Sequence, residues 1–568
     1  MELCQLLTRV TATAQRPTRN KSHAGELLHG YVAESNSDPS QPVVRLAAPE
    51  QLRAAFAEAG VPLQLSEGQE PAGVDSLMGA LRQVLRYSTR TSHPLFYNQL
   101  YARVEPAGLA AEWAAAATNT NVHTYEVAPV YTLLEGEVVS KMASLVGFPE
   151  GSRDGLLVPG GSASNLYALH LARHRAVPES RARGLAGGPP LCAFTSGQSH
   201  YSYTKAAALT GLGTDNMVAV GCDARGALVP AALEAAIDKA EARGQKPFFV
   251  GLTAGTTVTG AFDPFKEVAE ICRRRGLWLH VDGCWGVEEA DSFAWNAHKM
   301  MGVPLSCAAF MTRHKGLLQA ANSSGATYLF QPDKLFGSLD IGDKSLQCGR
   351  KSDALKLWLQ WKAVGDAGWE ARIDHCVALA EHFEAALTHP RWRGAFELVM
   401  PRSCTNVCFW WVPPSLRPWR CGEGAAQRQR DALGAVAPAI KALMQAKGDA
   451  MIGFQPLGSH PNFFRIVFAN AWTTSTEMLD DLLTRIDAYG MQVASAPAAA
   501  GAAAGVGIGA AADVSARPSE AAKAFCGCGA GAAAAAPAAP ALGAPAAAAG
   551  RRVSKSSEEA ATEGVAAV

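Results

Sequence analysis

The sequence predicts an α/β fold: a mostly parallel central sheet covered by helices on both faces, followed by a smaller C-terminal α+β domain. Three observations carry the prediction. From residue 156 to residue 311, short apolar runs alternate with helical periods, the pattern of strand–helix–strand units. Several runs close on turns rich in Gly or polar residues, around Gly161, His200, Thr256, Asp282 and Lys299. Beyond residue 358 the pattern changes to a Trp-rich helix, alternating strands and a closing helix. A chain of 568 residues has room for about two to four domains. Hydrophobic residues make up 48%, enough for a large core. Lys plus Arg and Asp plus Glu balance at 51 each, so net charge gives no case for nucleic acid or an anionic membrane surface. No uninterrupted apolar run is long enough to span a bilayer. Thirteen cysteines are scattered without zinc-type spacing and read as reduced thiols, which fits a cytoplasmic protein.

Residues 1–45 are polar and irregular. They read as disordered, or as a transit-like segment, since Arg9, Arg16, Arg19 and Lys21 occur with no acid between residues 3 and 23. Residues 46–106 form an N-terminal helical arm, with Leu77, Leu81, Val84 and Leu85 at helical spacing. Such arms commonly build dimers. An Ala-rich helix over 107–117 opens the large domain (107–357), and an amphipathic helix follows over 130–146. Leu156-Leu157-Val158 is a strand that runs into Pro159-Gly160-Gly161-Ser162 and a helix to Arg175. Further strands are expected at 191–195, 217–220, 247–252, 277–281 and 305–311, with helices at 230–243 and 263–275 between them. Residues 325–343 lack a period and read as a mobile loop. The small domain (358–494) takes the end of a helix over 353–388, strands at 405–412 and 462–469, and helices at 435–447 and 474–490. Residues 495–568 are Ala, Gly and Pro with almost no large apolar side chain, and cannot bury a core.

Ligands of parallel sheets sit beyond the C-terminal ends of the strands. The glycines feeding the helix at Gly161 and Ser162 offer backbone N–H groups and a positive dipole end, suited to a phosphate. Asp282 closes an apolar strand, and Lys299 follows in the polar stretch Asn296-Ala297-His298-Lys299. An acid suits a cationic ring nitrogen, and a lysine amine suits an aldehyde. Together they point to pyridoxal 5′-phosphate (PLP).

The chain closely resembles the PLP-dependent group II decarboxylases, in the branch of glutamate and cysteine sulfinate decarboxylases. The resemblance runs from about Ser92 to Val493. It rests on His93-Pro-x-Phe-Tyr-Asn-Gln-Leu, Thr124-Tyr-Glu-Val-Ala-Pro, Phe194-Thr-Ser-x-Gln-Ser-His-Tyr-Ser, His280-Val-Asp, Asn296-x-His-Lys-Met-Met-Gly, Tyr328-Leu-Phe-Gln-Pro-Asp-Lys and Asn462-Phe-Phe-Arg. It implies PLP fold type I, the aspartate-aminotransferase-like architecture, and a homodimer with no nucleic-acid or membrane partner. It implies decarboxylation of an acidic L-amino acid: cysteine sulfinate to hypotaurine, glutamate to GABA, or aspartate to β-alanine. Lys299 then resembles the Schiff-base lysine, Asp282 the acid on the pyridine nitrogen, and His200 the residue stacked on the ring. Gly161, Ser162, Thr256 and His298 resemble cofactor contacts. Gln99 and Arg465 resemble the grip on substrate carboxylates, and Tyr328 the loop tyrosine that protonates the α-carbon.

Several positions depart from the family pattern. Where Asp-Ala-Ala-Trp-Gly-Gly is usual, this chain has Asp282-Gly283-Cys284-Trp285-Gly286-Val287, which puts Cys284 under the ring. Ala297 replaces the proline of Asn-Pro-His-Lys. The segment between Gly286 and Asp291 is shorter than in relatives, and support for the strand before Lys299 depends on it. Substrate-wall positions are mixed: Tyr101 resembles the sulfinate branch, Asn121 the glutamate branch, and His123 neither. An aminotransferase, an aldehyde-forming enzyme, or a non-catalytic dimer on the same fold are the alternative readings.

Overall fold

A computed structural model describes residues 19–283, 288–331, 333–419, 426–469 and 471–495. Cys284 and the tail from residue 496 lie outside the described residues. The strands, in chain order, are β1 (Phe96–Tyr97), β2 (Asp154–Val158), β3 (Leu191–Ser196), β4 (Met217–Val220), β5 (Lys246–Ala254), β6 (Trp278–Gly283), β7 (Ser292–Trp295), β8 (Ala308–Thr312), β9 (Phe396–Leu398), β10 (Asn406–Trp411), β11 (Met451–Leu457) and β12 (His460–Val467).

Seven of them form the central sheet, in the order β2-β8-β7-β6-β5-β3-β4. Only β8 runs against its neighbours. Every residue of β3 is buried, as are the last seven of β5. That fits the continuous apolar runs of a sheet covered on both faces. Alternation divides each strand between two cores: Phe249 and Trp278 pack in one, Val250 and Leu279 in the other. The helix Gly161–Ala176 covers the face of Phe249 and Trp278, through Tyr167, Leu169 and Leu171. The face of Val250 and Leu279 meets Val268 and Ile271 of the helix Phe265–Arg275.

The small sheet has the order β1-β11-β12-β10-β9. Its edge strand β1 comes from the N-terminal arm, and Leu95, Phe96 and Tyr97 are buried in the small-domain core. The arm is therefore stitched into the C-terminal domain as well as being helical. The helix Asp353–Leu387 crosses the 357/358 boundary. Ala354 and Leu357 pack in the large-domain core, and Phe383 and Leu387 in the small one, with a break at Gly365 (φ 71°) between.

Four features differ from the sequence reading. The stretch Arg19–Ser37 is helical rather than irregular, and Arg90 ties to it through Ser35 (2.7 Å) and over the Tyr31 ring. The four-residue β7 was too short to give a period. In β11, Gly453 and Pro456 weaken the strand signal; Pro456 lies where β1, paired only at Met451 and Ile452, no longer runs alongside. The last strand of the large sheet starts at Ala308, because residues 296–307 are the turn that carries Lys299.

The short connection after Asp282 needs a physical account. β6 and β7 are parallel neighbours, pairing His280 with Ser292, and parallel pairs usually need a crossover of a dozen or more residues. Here residues 284–291 suffice because β7 is only four residues long. Asp291 anchors the return. Its backbone N–H donates to the Leu279 carbonyl and its carboxylate accepts the Leu279 N–H, each at 2.8 Å. Thus β7 keeps its place between β6 and β8, and the Lys299 turn follows it.

Burial pushes His170 and His280 down to about 4. Both rings are neutral when folded and take up a proton on unfolding below the free value of about 6.5. Their stabilisation is present above pH 6.5 and is lost as pH falls toward 4, on the order of 3 kcal/mol for the fully buried His280 across that window. The melting temperature of the cofactor-free protein is expected to be lower at pH 5 than at pH 7.5. A flat profile across that interval would contradict neutral burial.

Candidate active site

The C-terminal ends of β5 and β6 lie side by side, pairing Thr253 with Asp282 and Ala254 with Gly283. The approach is close: a Cβ on Gly283 would fall 2.2 Å from Ala254 Cβ, so with the two strands this near the position has no room for a side chain. A cavity of about 320 Å³ opens above these ends. Its wall includes His200, Thr256, Asp282 and Lys299, with Thr405 and Val467 closing it from the small domain. A larger cleft, about 830 Å³, lies at the opposite strand ends, beside Pro247 and Trp278. It brings none of the sequence-singled residues together. The smaller cavity is the candidate site because the acid, the lysine and the histidine converge there.

Asp282 is 9% exposed. Its Oδ2 accepts a hydrogen bond from Asn165 Nδ2 at 2.9 Å. His200 follows β3; its Nδ1 meets Ser202 Oγ at 2.8 Å and the Ser202 N–H at 3.3 Å. Burial lowers its affinity for a proton, and the charges of Asp282 and Lys299 act on it in opposite senses. Lys299 is half-buried in the turn between β7 and β8. Its N–H donates to the Asn296 carbonyl at 3.0 Å. Thr256 lines the cavity, but its hydroxyl bonds Thr259 (2.8 Å) and the Ala261 N–H (3.0 Å), so it also holds the turn together.

Gly161 opens the helix Gly161–Ala176 after Gly160 (φ 97°). A Cβ at Gly161 would meet the Asn296 amide at 2.7 Å, so this helix start reaches the cavity wall at Asn296. Ser162 is exposed at the same helix start. Asn296 Oδ1 and the hydroxyl of the cavity-lining Thr253 are buried without a hydrogen-bond partner among the described residues. His298 stands beside Lys299, its Nδ1 2.6 Å from the Cys307 carbonyl, which ties the two ends of the turn together.

These residues fit PLP. The donor set offers an acid for a ring nitrogen, an amine for an aldehyde, an imidazole for a ring face and a helix start for a phosphate. Two orphaned polar atoms remain on the wall to take up further contacts.

Other singled residues lie apart from that wall. Arg465 is buried; it donates to the carbonyls of Thr257 (2.8 Å) and Asn98 (3.0 Å), beside the cavity-lining Thr257 and near Leu100. Gln99 is exposed and Tyr101 half-buried, on either side of Leu100. Asn121 is tied to the Cys348 carbonyl (3.1 Å) and the Arg350 N–H (2.8 Å). His123 packs against the Phe330 ring, with both ring nitrogens buried and unpartnered. Tyr328 is 78% exposed and is not part of the wall. Within one chain, then, Tyr328, Asn121 and His123 are not gathered with Lys299.

The sequence reading missed Asn165, Thr253 and Asn296 as site residues. Asn165 had a signal: it is an amide one turn into a helix otherwise rich in apolar residues. What it touches depends on the packing of that helix across the sheet.

The model of the pyridoxal-dependent decarboxylase conserved domain matches residues 58–412. The chain belongs to this family. It is a PLP-dependent amino-acid decarboxylase, a carboxy-lyase, and PLP is its cofactor. Among solved structures, mouse CSAD is 40% identical, with a TM-score of 0.77, over 84% of this chain and 99% of that one. Mouse CSAD in its apo form matches at 40% identity and a TM-score of 0.75, over 83% and 99%. The Oryza sativa TDC structure with PLP and tryptamine shares the fold, at 24% identity and a TM-score of 0.73, over 85% and 100%. In this decarboxylase Asp282, Lys299 and His200 line one cavity at one end of the large sheet.

Proposed function

We propose that this decarboxylase acts on an acidic amino acid, with cysteine sulfinate preferred over glutamate and aspartate, and works as a homodimer. The observation that carries the substrate class is Arg465. Its guanidinium is buried, and among the described residues its Nε has no hydrogen-bond partner and no Asp or Glu acts on its charge. A desolvated guanidinium without an acid of its own is a standing site for an anion, which it can grip with two parallel bonds. Likeness to mouse CSAD favours the sulfinate among the acidic candidates.

PLP, when bound, supplies the electron sink that lets the α-carboxylate depart as CO₂. Lys299 would hold it at the aldehyde, the Asp282 carboxylate would favour the protonated ring nitrogen, and His200 would lie against the ring. Arg465, with Gln99 beside it, holds the side-chain acid and so turns the α-carboxylate toward the departing direction. Tyr328 gives a proton to the α-carbon.

Tyr328 is solvent-exposed in its own chain, which argues for the dimer. It shares its loop with Leu335 (77% exposed) and Phe336 (55%). That loop rests on the segment carrying Tyr125 and Glu126, through the Tyr125–Phe336 ring contact and the Lys334–Glu126 ion pair. Val127, Val130 and Leu133, which follow, are also more than half exposed. Exposed apolar side chains on two segments in contact call for a cover, and we assign that role to a second copy.

The substrate reading is tested by CO₂ release from cysteine sulfinate, glutamate and aspartate. kcat/KM for cysteine sulfinate is expected to exceed the other two by about 10-fold or more, the scale of one or two kcal/mol of side-chain discrimination. Equal or higher values for glutamate would overturn the preference but keep the acidic class.

A further inference from the structure

We infer that Ser292, His280 and Asn165 form a one-directional hydrogen-bond relay that aims Asp282 and fixes the tautomer of His200. Trp278, His280 and Asp282 alternate along β6 and share one face of the sheet. Ser292 stands opposite His280 on β7. Asn165 comes down onto the same face from the helix Gly161–Ala176.

The distances leave one assignment of protons. Trp278 Nε1 can only donate, and it lies 2.8 Å from Ser292 Oγ. Ser292 Oγ therefore accepts that bond and lies 2.9 Å from His280 Nδ1, where it can accept again or donate. The other end decides. The Asp282 carboxylate only accepts, so Asn165 Nδ2 faces it and the Asn165 carbonyl faces His280 Nε2. Nε2 then carries the proton, leaving Ser292 to donate to Nδ1. A neutral ring that accepts at Nδ1 carries its proton on Nε2. His280 Nε2 meets Asn165 at the carbonyl oxygen, at 3.0 Å. The two Asn165 amide protons are then left for Asp282 Oδ2 (2.9 Å) and Ser202 Oγ (2.8 Å). Ser202 Oγ, having accepted, donates to His200 Nδ1 at 2.8 Å. The Ser202 backbone N–H points at the same nitrogen, so His200 also carries its proton on Nε2. Burial keeps His280 neutral, as this polarity requires.

The acceptor-only Asp282 carboxylate thus fixes the Asn165 amide, and the amide fixes the proton of His280 on Nε2. Asn165, His280 and Ser292 are positioning residues: they touch neither substrate nor cofactor. The link to chemistry rests on the reading that Asp282 and His200 face PLP; the proton assignment does not.

Two measurements test the relay. The first is imidazole ¹⁵N NMR of the cofactor-free protein at neutral pH, with His280→Gln and His200→Gln used for assignment. The expected result is an Nε2-protonated ring at both positions. An Nδ1-protonated ring at either would overturn the relay without touching the proposed substrate. The second compares His280→Phe with His280→Gln for PLP binding, followed by tryptophan fluorescence of the apo-protein, with melting temperatures alongside. Phe matches the surrounding rings of Phe249, Tyr203 and Phe310. Gln keeps one donor and one acceptor on its terminal amide. PLP is expected to bind His280→Gln at least about 10-fold tighter than His280→Phe, the scale of one hydrogen bond to a charged group. Equal dissociation constants in two folded variants would show that His280 serves packing alone.

Discussion

Lys299→Ala is expected to lower kcat by at least about 1,000-fold, the size of losing an obligatory nucleophile, and to remove the visible absorption band of lysine-bound PLP. The fold around it is expected to remain. Backbone bonds hold the turn, from the Lys299 N–H to the Asn296 carbonyl and from the Gly302 N–H to the Lys299 carbonyl, each at 3.0 Å. The helix Asp353–Leu387 secures the rest. Gln360 donates to the Met301 carbonyl at 2.8 Å, and the fully buried Lys356 donates to the carbonyls of Pro304 (3.1 Å) and Ser306 (2.9 Å). Lys356 is itself paired with Asp353 (2.8 Å) and Glu112 (3.2 Å), so its charge is satisfied where it is buried. A melting temperature close to that of the apo wild type would separate lost chemistry from lost structure. An active variant would remove Lys299 from the mechanism.

Tyr328→Phe is expected to cut amine formation by about 100-fold or more, the lower range for a lost general acid. The more telling result concerns mixed dimers. Tyr328 is exposed and apart from its own cavity, so the proposed dimer has it serve the cavity of the other copy. A hybrid of one Lys299→Ala chain and one Tyr328→Phe chain then has one intact site, assembled from the sound half of each. Random pairing of the two variants is expected to restore about one quarter of wild-type activity, since about half the dimers are hybrids with one working site of two. Recovery of no activity, from dimers shown to exchange, would place Tyr328 in the site of its own chain. Assaying carbonyl products beside the amine would also reveal an aldehyde-forming course.

The large sheet was legible where strands are long and buried on both faces. Leu191–Ser196 and Lys246–Ala254 read as apolar runs because helices cover both of their sides. Ser292–Trp295 was not legible, since four residues give no period and its place is fixed by neighbours on either side and by Asp291. The chemistry followed the same division. Asp282, Lys299, His200 and Thr256 follow strand ends, and the topology delivers them to one cavity. Asn165 and Ser292 stayed hidden because their meaning lies in what faces them across the sheet. Tyr328, Asn121 and His123 carry motifs without reaching the cavity in one chain, a separation that periodicity and spacing do not reveal.

Decarboxylation is read directly as release of ¹⁴CO₂ from carboxyl-labelled cysteine sulfinate by the PLP-loaded protein, with Lys299→Ala as the blank. The account predicts CO₂ and the matching amine in equal amounts from the wild type and neither from the blank. No CO₂ from cysteine sulfinate, glutamate or aspartate, by a folded protein that holds PLP, would contradict it.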